Sequence, residues 1–540
     1  MHRNNHWNRR LVLLLVLALM LPLAACDMAE SPSAAPQVSA PATTQAPPQL
    51  VVPDGYTHVT VGDLVGVNIY GTSVELDPHF FAANVQRGVF EEADWAIVER
   101  RVKEMGIDRF RVMLKPSWLE PLNDDEDSST INWDGLTPDS AEMQSLYKVL
   151  DLAQKNGIDV NLTLWGVERN VALVDIDKMA EVNAQGGHFL AKGNDSNNWM
   201  IGTLYPEEFA ENFSAYVQLL RQKGYTCITE ITPYNEPSFS YLIHNEVTFE
   251  GYKELCLALD ARFRADGIRD DILFNLSDNI DADVYWLEGT MSELDEITDI
   301  YNSHTYIFGY ETPNSTIMAW EEENKNITRN TGKPHVVGEF GSNQCTGSTR
   351  QSDIDFYERG VLLVREMLNF YNAGAAGASY WVLFDQYYTY NASYSEMMML
   401  GLWKGPRELY YTDSEYYASV KEDYEVRPQY YAFSLMSKYV PKGAQVYPIA
   451  LNNEFATGTA FRGEDGKWVY VFANGNSEGE ALKLALQNGE ISGEYEMYVY
   501  RQDALPEGDA LIAASGTLTT ENLVLILELE PQTVVLLREK

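Results

Sequence analysis

The stretch Cys227-Ile228-Thr229-Glu230-Ile231-Thr232-Pro233-Tyr234-Asn235-Glu236-Pro237 reads as a β-branched strand that breaks at a proline and ends on a carboxylate. The same pattern recurs later as His335-Val336-Val337-Gly338-Glu339-Phe340-Gly341. Working outward from these two, short apolar or β-branched runs at 64–70, 109–113, 159–165, 227–234, 272–276, 298–303, 335–338 and 378–382 read as strands. Helical periodicity separates them at 91–105, 140–156, 207–223, 249–265, 284–294, 315–328 and 353–372, with a last helix at 429–439. Gly106, Gly157, Gly224, Gly267, Gly332 and Gly374 stand where those helices must stop.

Eight strands in strict alternation with helices predict a closed (β/α)8 barrel across 58–440. The alternative, an open doubly wound sheet, would want a Gly-rich phosphate loop after its first strand, and only the isolated Gly71 and Gly88 occur there. After Pro441 and Gly443 the pattern changes to alternating strands at 458–462, 468–473, 481–486, 494–500, 523–529 and 533–537. This predicts an antiparallel β-sandwich over 441–540.

The amino terminus reads as an export signal. Arg3, Arg9 and Arg10 precede an apolar run too short to span a bilayer comfortably, and the run ends in Leu23-Ala24-Ala25-Cys26. That ending resembles a bacterial lipobox. It implies that 1–25 are removed, that Cys26 carries lipid, and that the mature chain is an extracytoplasmic, membrane-anchored lipoprotein of the cell envelope. Residues 26–57, rich in Ser, Ala, Pro and Thr, read as a flexible tether. A net charge of −40 argues against nucleic acid or an anionic membrane surface as a partner, leaving the lipid anchor as the membrane contact. Cys227, Cys256 and Cys345 have neither a disulfide framework nor metal-ligand spacing, so they read as thiols.

Strand order places Glu236 after strand four and Glu339 after strand seven, on the rim where barrels of this kind carry their chemistry. Paired carboxylates on one rim suit glycosidic bond cleavage. One protonates the leaving oxygen and the other attacks the sugar carbon or activates water.

With these residues in place, the chain resembles the clan of retaining glycoside hydrolases that carry catalytic glutamates on strands four and seven. Asn235-Glu236-Pro237 resembles the clan's acid/base strand, and the 332–341 segment resembles the nucleophile strand of glycoside hydrolase family 5. Gly66-Val67-Asn68 is similar to the family 5 first strand, and Arg111 falls where the clan has an arginine beside the nucleophile. His304 and Tyr306 match a His/Tyr pair after strand six, and Trp381 matches a tryptophan that floors the sugar site. Strand three ends in Thr163-Leu164-Trp165-Gly166, without the histidine often found there in family 5, and Trp165 stands as a pocket-wall residue. The sandwich, and Arg427-Pro428-Gln429-Tyr430-Tyr431-Ala432 before it, look more like families 30 and 39.

The resemblance implies Glu236 as acid/base and Glu339 as nucleophile. It implies substrate contacts from Arg111, Asn235, His304, Tyr306, Trp381, Trp165 and Asn68. The substrate it implies is a β-linked oligosaccharide or polysaccharide, with no metal or organic cofactor. An α-L-arabinofuranosidase or β-xylosidase is an alternative within the clan, and a non-catalytic carbohydrate-binding lipoprotein is one outside it. The long segment 383–427, rich in Tyr and Met, is expected to form a lid or pocket wall or to cover itself with its own aromatics.

Overall fold

The computed structural model describes residues 52–78, 91–120, 127–164, 206–238, 248–344, 350–391, 394–411, 414–488, 490–491, 493–520 and 523–540, with the backbone alone at 387–397. Eight parallel strands close a barrel: β1 (Ser73–Glu75), β2 (Arg109–Leu114), β3 (Asp159–Leu164), β4 (Ile228–Thr232), β5 (Leu273–Asn279), β6 (Ile300–Thr305), β7 (His335–Phe340) and β8 (Ala378–Tyr380). β8 pairs with both β7 and β1, which closes the ring. The surrounding helices are α1 (Glu92–Met105), α2 (Ala141–Asn156), α3 (Pro206–Gln222), α4 (Phe249–Ala265), α5 (Val284–Glu293), α6 (Asn314–Thr328), α7 (Tyr357–Ala373) and α8 (Pro428–Tyr439).

The strand period of two separates the barrel's two faces. On β2, Phe110, Val112 and Leu114 join the apolar core, while Arg109 pairs with Glu230 of β4 and Arg111 with Glu75 of β1. Glu230 of β4 forms a polar floor. It accepts from Asn161 at 2.8 Å, from Asn275 at 2.7 Å and from the Tyr70 hydroxyl at 2.6 Å, and it pairs with Arg109 at 3.1 Å. Helix α2 illustrates how the sequence sets its own ends. The Ser140 hydroxyl accepts from Met143 N–H at 3.1 Å, and Gly157 closes the helix in the left-handed region at φ 68°.

One expected strand moves. Within 64–70, Gly66–Val67 does not enter the barrel but pairs antiparallel with Gln445 and Val446 at the edge of the carboxy-terminal sheet. Thr57–Thr60 pairs in parallel with another sandwich strand, Leu482–Gln487. The first barrel strand is Ser73–Glu75, set in register with Arg109–Arg111. The apolar run Leu64-Val65 drew the expectation, yet both side chains are exposed, whereas the true strand is short and turns polar Ser73 and Glu75 to buried positions.

The remaining strands are β9 (Gln445–Ile449), β10 (Ala456–Arg462), β11 (Trp468–Asn474), β12 (Leu482–Gln487), β13 (Glu494–Tyr500), β14 (Gly516–Thr519), β15 (Val524–Leu529) and β16 (Thr533–Glu539). They form a seven-stranded sheet, ordered β14-β13-β16-β11-β10-β9 with Gly66–Val67 at the edge, and a three-stranded sheet of Thr57–Thr60, β12 and β15. Tyr470 and Phe472 of β11 face the core between the two sheets, while Val469, Val471 and Ala473 join the barrel's core. The large sheet is therefore buried on both faces, and α7, caught between it and the barrel, is buried almost all round.

Close approach fixes that junction. Tyr357 of α7 stacks on Tyr500 of β13 with ring centroids 4.6 Å apart, and the Tyr500 hydroxyl donates to the Tyr357 carbonyl at 2.7 Å. A Cβ at Gly360, one turn on, would lie 2.5 Å from the Tyr500 hydroxyl oxygen. We predict that Gly360→Val lowers stability by about 1–3 kcal/mol through overpacking. Urea denaturation reads this, and an unchanged midpoint would show that the helix can lift without cost.

Candidate active site

The carboxyl ends of the barrel strands converge on Arg111 of β2. Its Nη1 donates to Glu75 Oε2 of β1 at 2.9 Å and to Glu339 Oε2 of β7 at 3.2 Å. Its Nη2 donates to Asn235 Oδ1 at 2.7 Å and to Asp278 Oδ2 of β5 at 2.9 Å. One planar guanidinium thus ties together the ends of β1, β2, β5 and β7 and the segment after β4. The arginine is 2 % exposed, so these contacts act in a low dielectric.

A second cation site lies beside it. His304 Nε2 is 2.9 Å from Asp278 Oδ1, and its Nδ1 is 2.9 Å from Glu236 Oε1 and 3.5 Å from Glu339 Oε2. The Tyr306 hydroxyl donates to Glu339 Oε1 at 2.5 Å. Glu236 adopts φ 44°, a left-handed conformation uncommon away from glycine, and its N–H donates to Asp278 Oδ2 at 3.4 Å. The Asn235 N–H is held by the Leu164 carbonyl at 2.9 Å. The turn that presents Glu236 is therefore anchored at consecutive residues.

The electrostatics differ from group to group. Burial pushes the Glu339 carboxyl up and the charge of Glu236 adds to this, while His304, Arg111 and the Tyr306 hydrogen bond pull it back, leaving it at about 7. Burial alone would lower the His304 ring, but the carboxylates of Asp278 and Glu339 outweigh burial and raise it to about 10. Burial works against ionised Asp278 too, yet His304 and Arg111 prevail and hold it below the ordinary aspartate value. Glu75 is pushed up to about 8, by burial first, against the pull of Arg111.

The ligand atoms of Glu236, His304 and Glu339 lie within 4.8 Å of one another. They suit a metal poorly. Both ring nitrogens of His304 already face carboxylates of the network, and Arg111 already sits 3.2 Å from Glu339. What the spacing does suit is chemistry at one carbon held between two carboxyl groups. With oxygens of the two carboxyl groups no more than 4.8 Å apart, the pair suits direct attack better than the wider spacing, roughly 6.5–9.5 Å, that leaves room for a water. Glu236 is the more open of the two, with a side chain 19 % exposed against 6 % for Glu339.

Of the residues singled out in the sequence, Arg111, Asn235, Glu236, His304, Tyr306 and Glu339 meet in this network. Trp381 follows β8 and packs with Met113, Val382 and Leu400, against partly buried Tyr306. Asn68 does not meet them. It precedes β1 at the opposite end of the barrel, where its Oδ1 accepts from the Tyr371 hydroxyl at 3.4 Å and its N–H donates to the Ala444 carbonyl at 2.9 Å. The apolar run 64–70 predicts a place at the rim, and the register of Ser73–Glu75 removes it. Trp165, Cys26 and Cys345 lie outside the described residues, whereas Cys227 and Cys256 are buried free thiols.

In the 383–427 segment, Trp403 stacks on Phe384 with centroids 5.6 Å apart, and the buried Tyr410 donates to Asp385 at 2.7 Å. Asp385 is gripped by both terminal nitrogens of Arg427, each at 2.7 Å. These aromatics therefore pack the segment onto itself and onto the body of the barrel. Glu75, Asp278 and Asn302 were missed. Glu75 lies directly opposite Arg111 in register, so correct placement of β1 would have found it. Asp278 sits on the polar continuation of a strand whose apolar signal stops at 276, and Asn302 lies inside the expected run 298–303 with no motif to mark it.

No family model and no curated protein matches the sequence. Solved structures do match the fold. The glycoside hydrolase family 30 subfamily 8 xylanase Xyn30A from Clostridium acetobutylicum is 13% identical with a TM-score of 0.56, over 89% of this chain and 98% of that one. The catalytic domain of the family 30 xylanase C from Talaromyces cellulolyticus is 14% identical with a TM-score of 0.59, over 89% and 99%. A family 39 β-xylosidase from Caulobacter crescentus is 13% identical with a TM-score of 0.54, over 90% and 100%. The chain thus has the fold of these glycoside hydrolases, a parallel eight-stranded barrel with a carboxy-terminal β-sandwich.

Proposed function

We propose that the protein is a retaining glycoside hydrolase that cleaves a β-linked glycan or glycoside by double displacement. The observation that carries this reading is the pair Glu236 and Glu339, on one rim and within 4.8 Å through their nearest ligand oxygens, in unlike surroundings. Glu339 is the buried member, fixed by Arg111 and Tyr306 in a single orientation, as a nucleophile must be. Glu236 is the more open member, suited to meeting first a leaving group and then a water. Asn235, whose Oδ1 is taken by Arg111, has its amide N–H groups to offer a sugar hydroxyl. Trp381 supplies an apolar wall behind the site.

In the first half-reaction Glu236 gives its proton to the glycosidic oxygen while Glu339 attacks the anomeric carbon. In the second, Glu236 takes a proton from water and the ester to Glu339 is cleaved. β-Xylan and β-glucan-type polymers are the substrates we favour, in line with the xylanases and xylosidase that share the fold.

Two outcomes are expected. Glu236→Ala should lose about 10²–10⁴-fold in rate on substrates with poor leaving groups, and azide should restore turnover of activated aryl glycosides by taking the place of the deprotonated water. Undiminished hydrolysis with no glycosyl azide formed would remove Glu236 from the role. The pH profile is the second. Glu339 attacks only when ionised, so kcat/KM should fall as pH drops through about 7, where the resting carboxyl takes up its proton. A limb near the ordinary glutamate value of about 4.3 would contradict the burial argument.

A further inference from the structure

We propose that Asp278 is a positioning residue that keeps His304 protonated on both ring nitrogens, so that one imidazolium serves as the shared counter-charge of Glu236 and Glu339 through both half-reactions. The inference rests on the double-displacement reading above and assigns a role to a residue that reading does not use.

The geometry begins with Asp278 itself. It is wholly buried at the end of β5, where Ser277 and Asp278 turn through φ values of 84° and 52°. Both carboxylate oxygens are committed. Oδ1 faces His304 Nε2 at 2.9 Å and takes the Asn302 amide, while Oδ2 takes Arg111 Nη2 at 2.9 Å and the Glu236 N–H at 3.4 Å. A buried carboxylate met by donors on every side stays ionised and requires a proton on the ring nitrogen it faces. The other nitrogen, Nδ1, lies 2.9 Å from Glu236 and 3.5 Å from Glu339, between the two reacting carboxyl groups. The groups facing the ring are Asp278 and Asp281 from the β5 side, Glu236 after β4, and Glu339 of β7, with Arg111 beyond, Glu75 paired to it and Tyr306 on Glu339.

The charge balance shows what such an imidazolium does. At the start Glu236 carries a proton and Glu339 is the anion. Glycosylation moves the Glu236 proton to the leaving oxygen, breaks the glycosidic bond and forms the bond from Glu339 to the sugar carbon. The single negative charge has passed from Glu339 to Glu236. Hydrolysis then puts a water proton on Glu236, bonds the water oxygen to the carbon and frees Glu339, so the charge returns. A cation placed beside both carboxylates balances the charge in either position without giving up its own proton.

The test uses Asp278→Asn, of the same shape, with thermal melting to confirm folding. Ring-nitrogen NMR follows His304 among the 8 histidines, assigned by comparison with His304→Asn. In the wild-type protein the His304 signals should stay in the imidazolium position from about pH 5 to about pH 9, whereas in Asp278→Asn they should titrate within that window, a loss of at least about 10-fold in proton affinity. On an activated aryl glycoside the variant should lose far more kcat at about pH 8 than at about pH 5, because the ring is still charged in acid. A loss equal at all pH values, or an unchanged His304 titration, would overturn the proposal. A neutral ring in the wild-type protein near pH 7 would do so even if the variant fails to fold. Failure of the hydrolase reading looks different, since a protein with no turnover of any glycoside could still show the protected imidazolium.

Discussion

The four hydrogen bonds of Arg111 are the constraint on which the site depends. A single buried guanidinium reaches Glu75, Asn235, Asp278 and Glu339, and so sets the positions of strand ends that are far apart in the chain. The flat, forked geometry of arginine lets it do this, and a lysine could not hold four acceptors in one plane. Removing any one acceptor would leave the others sharing a buried charge, which is why the site behaves as a unit. Below it, the Glu230 cluster of β4 fills the barrel with polar groups, so the rim stands on a charged, hydrogen-bonded floor.

The barrel is also braced from outside. The carboxy-terminal sheet is buried on both faces, and it takes Gly66–Val67 as its edge strand just before the chain enters the barrel. The barrel is therefore inserted between two segments of the same sheet, Gly66–Val67 before it and β9 after it. Tyr357 and Tyr500 join α7 to this sheet, while Arg427 and Asp385 join α8 to the segment after β8. Trp381 comes from the start of that segment, so the wall of the site is held by contacts made well behind it.

Much of this was legible in the residues. Seven of the eight barrel strands lie where β-branched runs predict them, because each carries apolar or β-branched residues on the face that packs against the helices. Glu236 and Glu339 stood out because each ends such a run. The first strand was not legible. Ser73-Val74-Glu75 is too short and too polar to register, and the apolar Leu64-Val65 beside it drew the assignment, carrying Asn68 to the wrong end of the barrel. Asp278 and Asn302 escaped for a related reason. Asp278 belongs to a strand end that turns polar where the apolar signal stops, Asn302 carries no motif within its strand, and only closure of the barrel brings Asn302 to Asp278 and Asp278 to His304. Propensity reports burial in apolar surroundings and says nothing of a buried charge that is stabilised by its partners.

The central claim is that Glu339 becomes covalently bonded to the sugar. Its most direct test is to inactivate the protein with the 2-deoxy-2-fluoro dinitrophenyl glycoside of whichever sugar it hydrolyses, and then to locate the adduct by mass spectrometry of peptides. The account predicts one fluoroglycosyl group per chain, on the peptide that contains Gly338-Glu339-Phe340, and none in Glu339→Gln. An adduct on another residue, or turnover that releases the inverted sugar with no adduct at all, would contradict it.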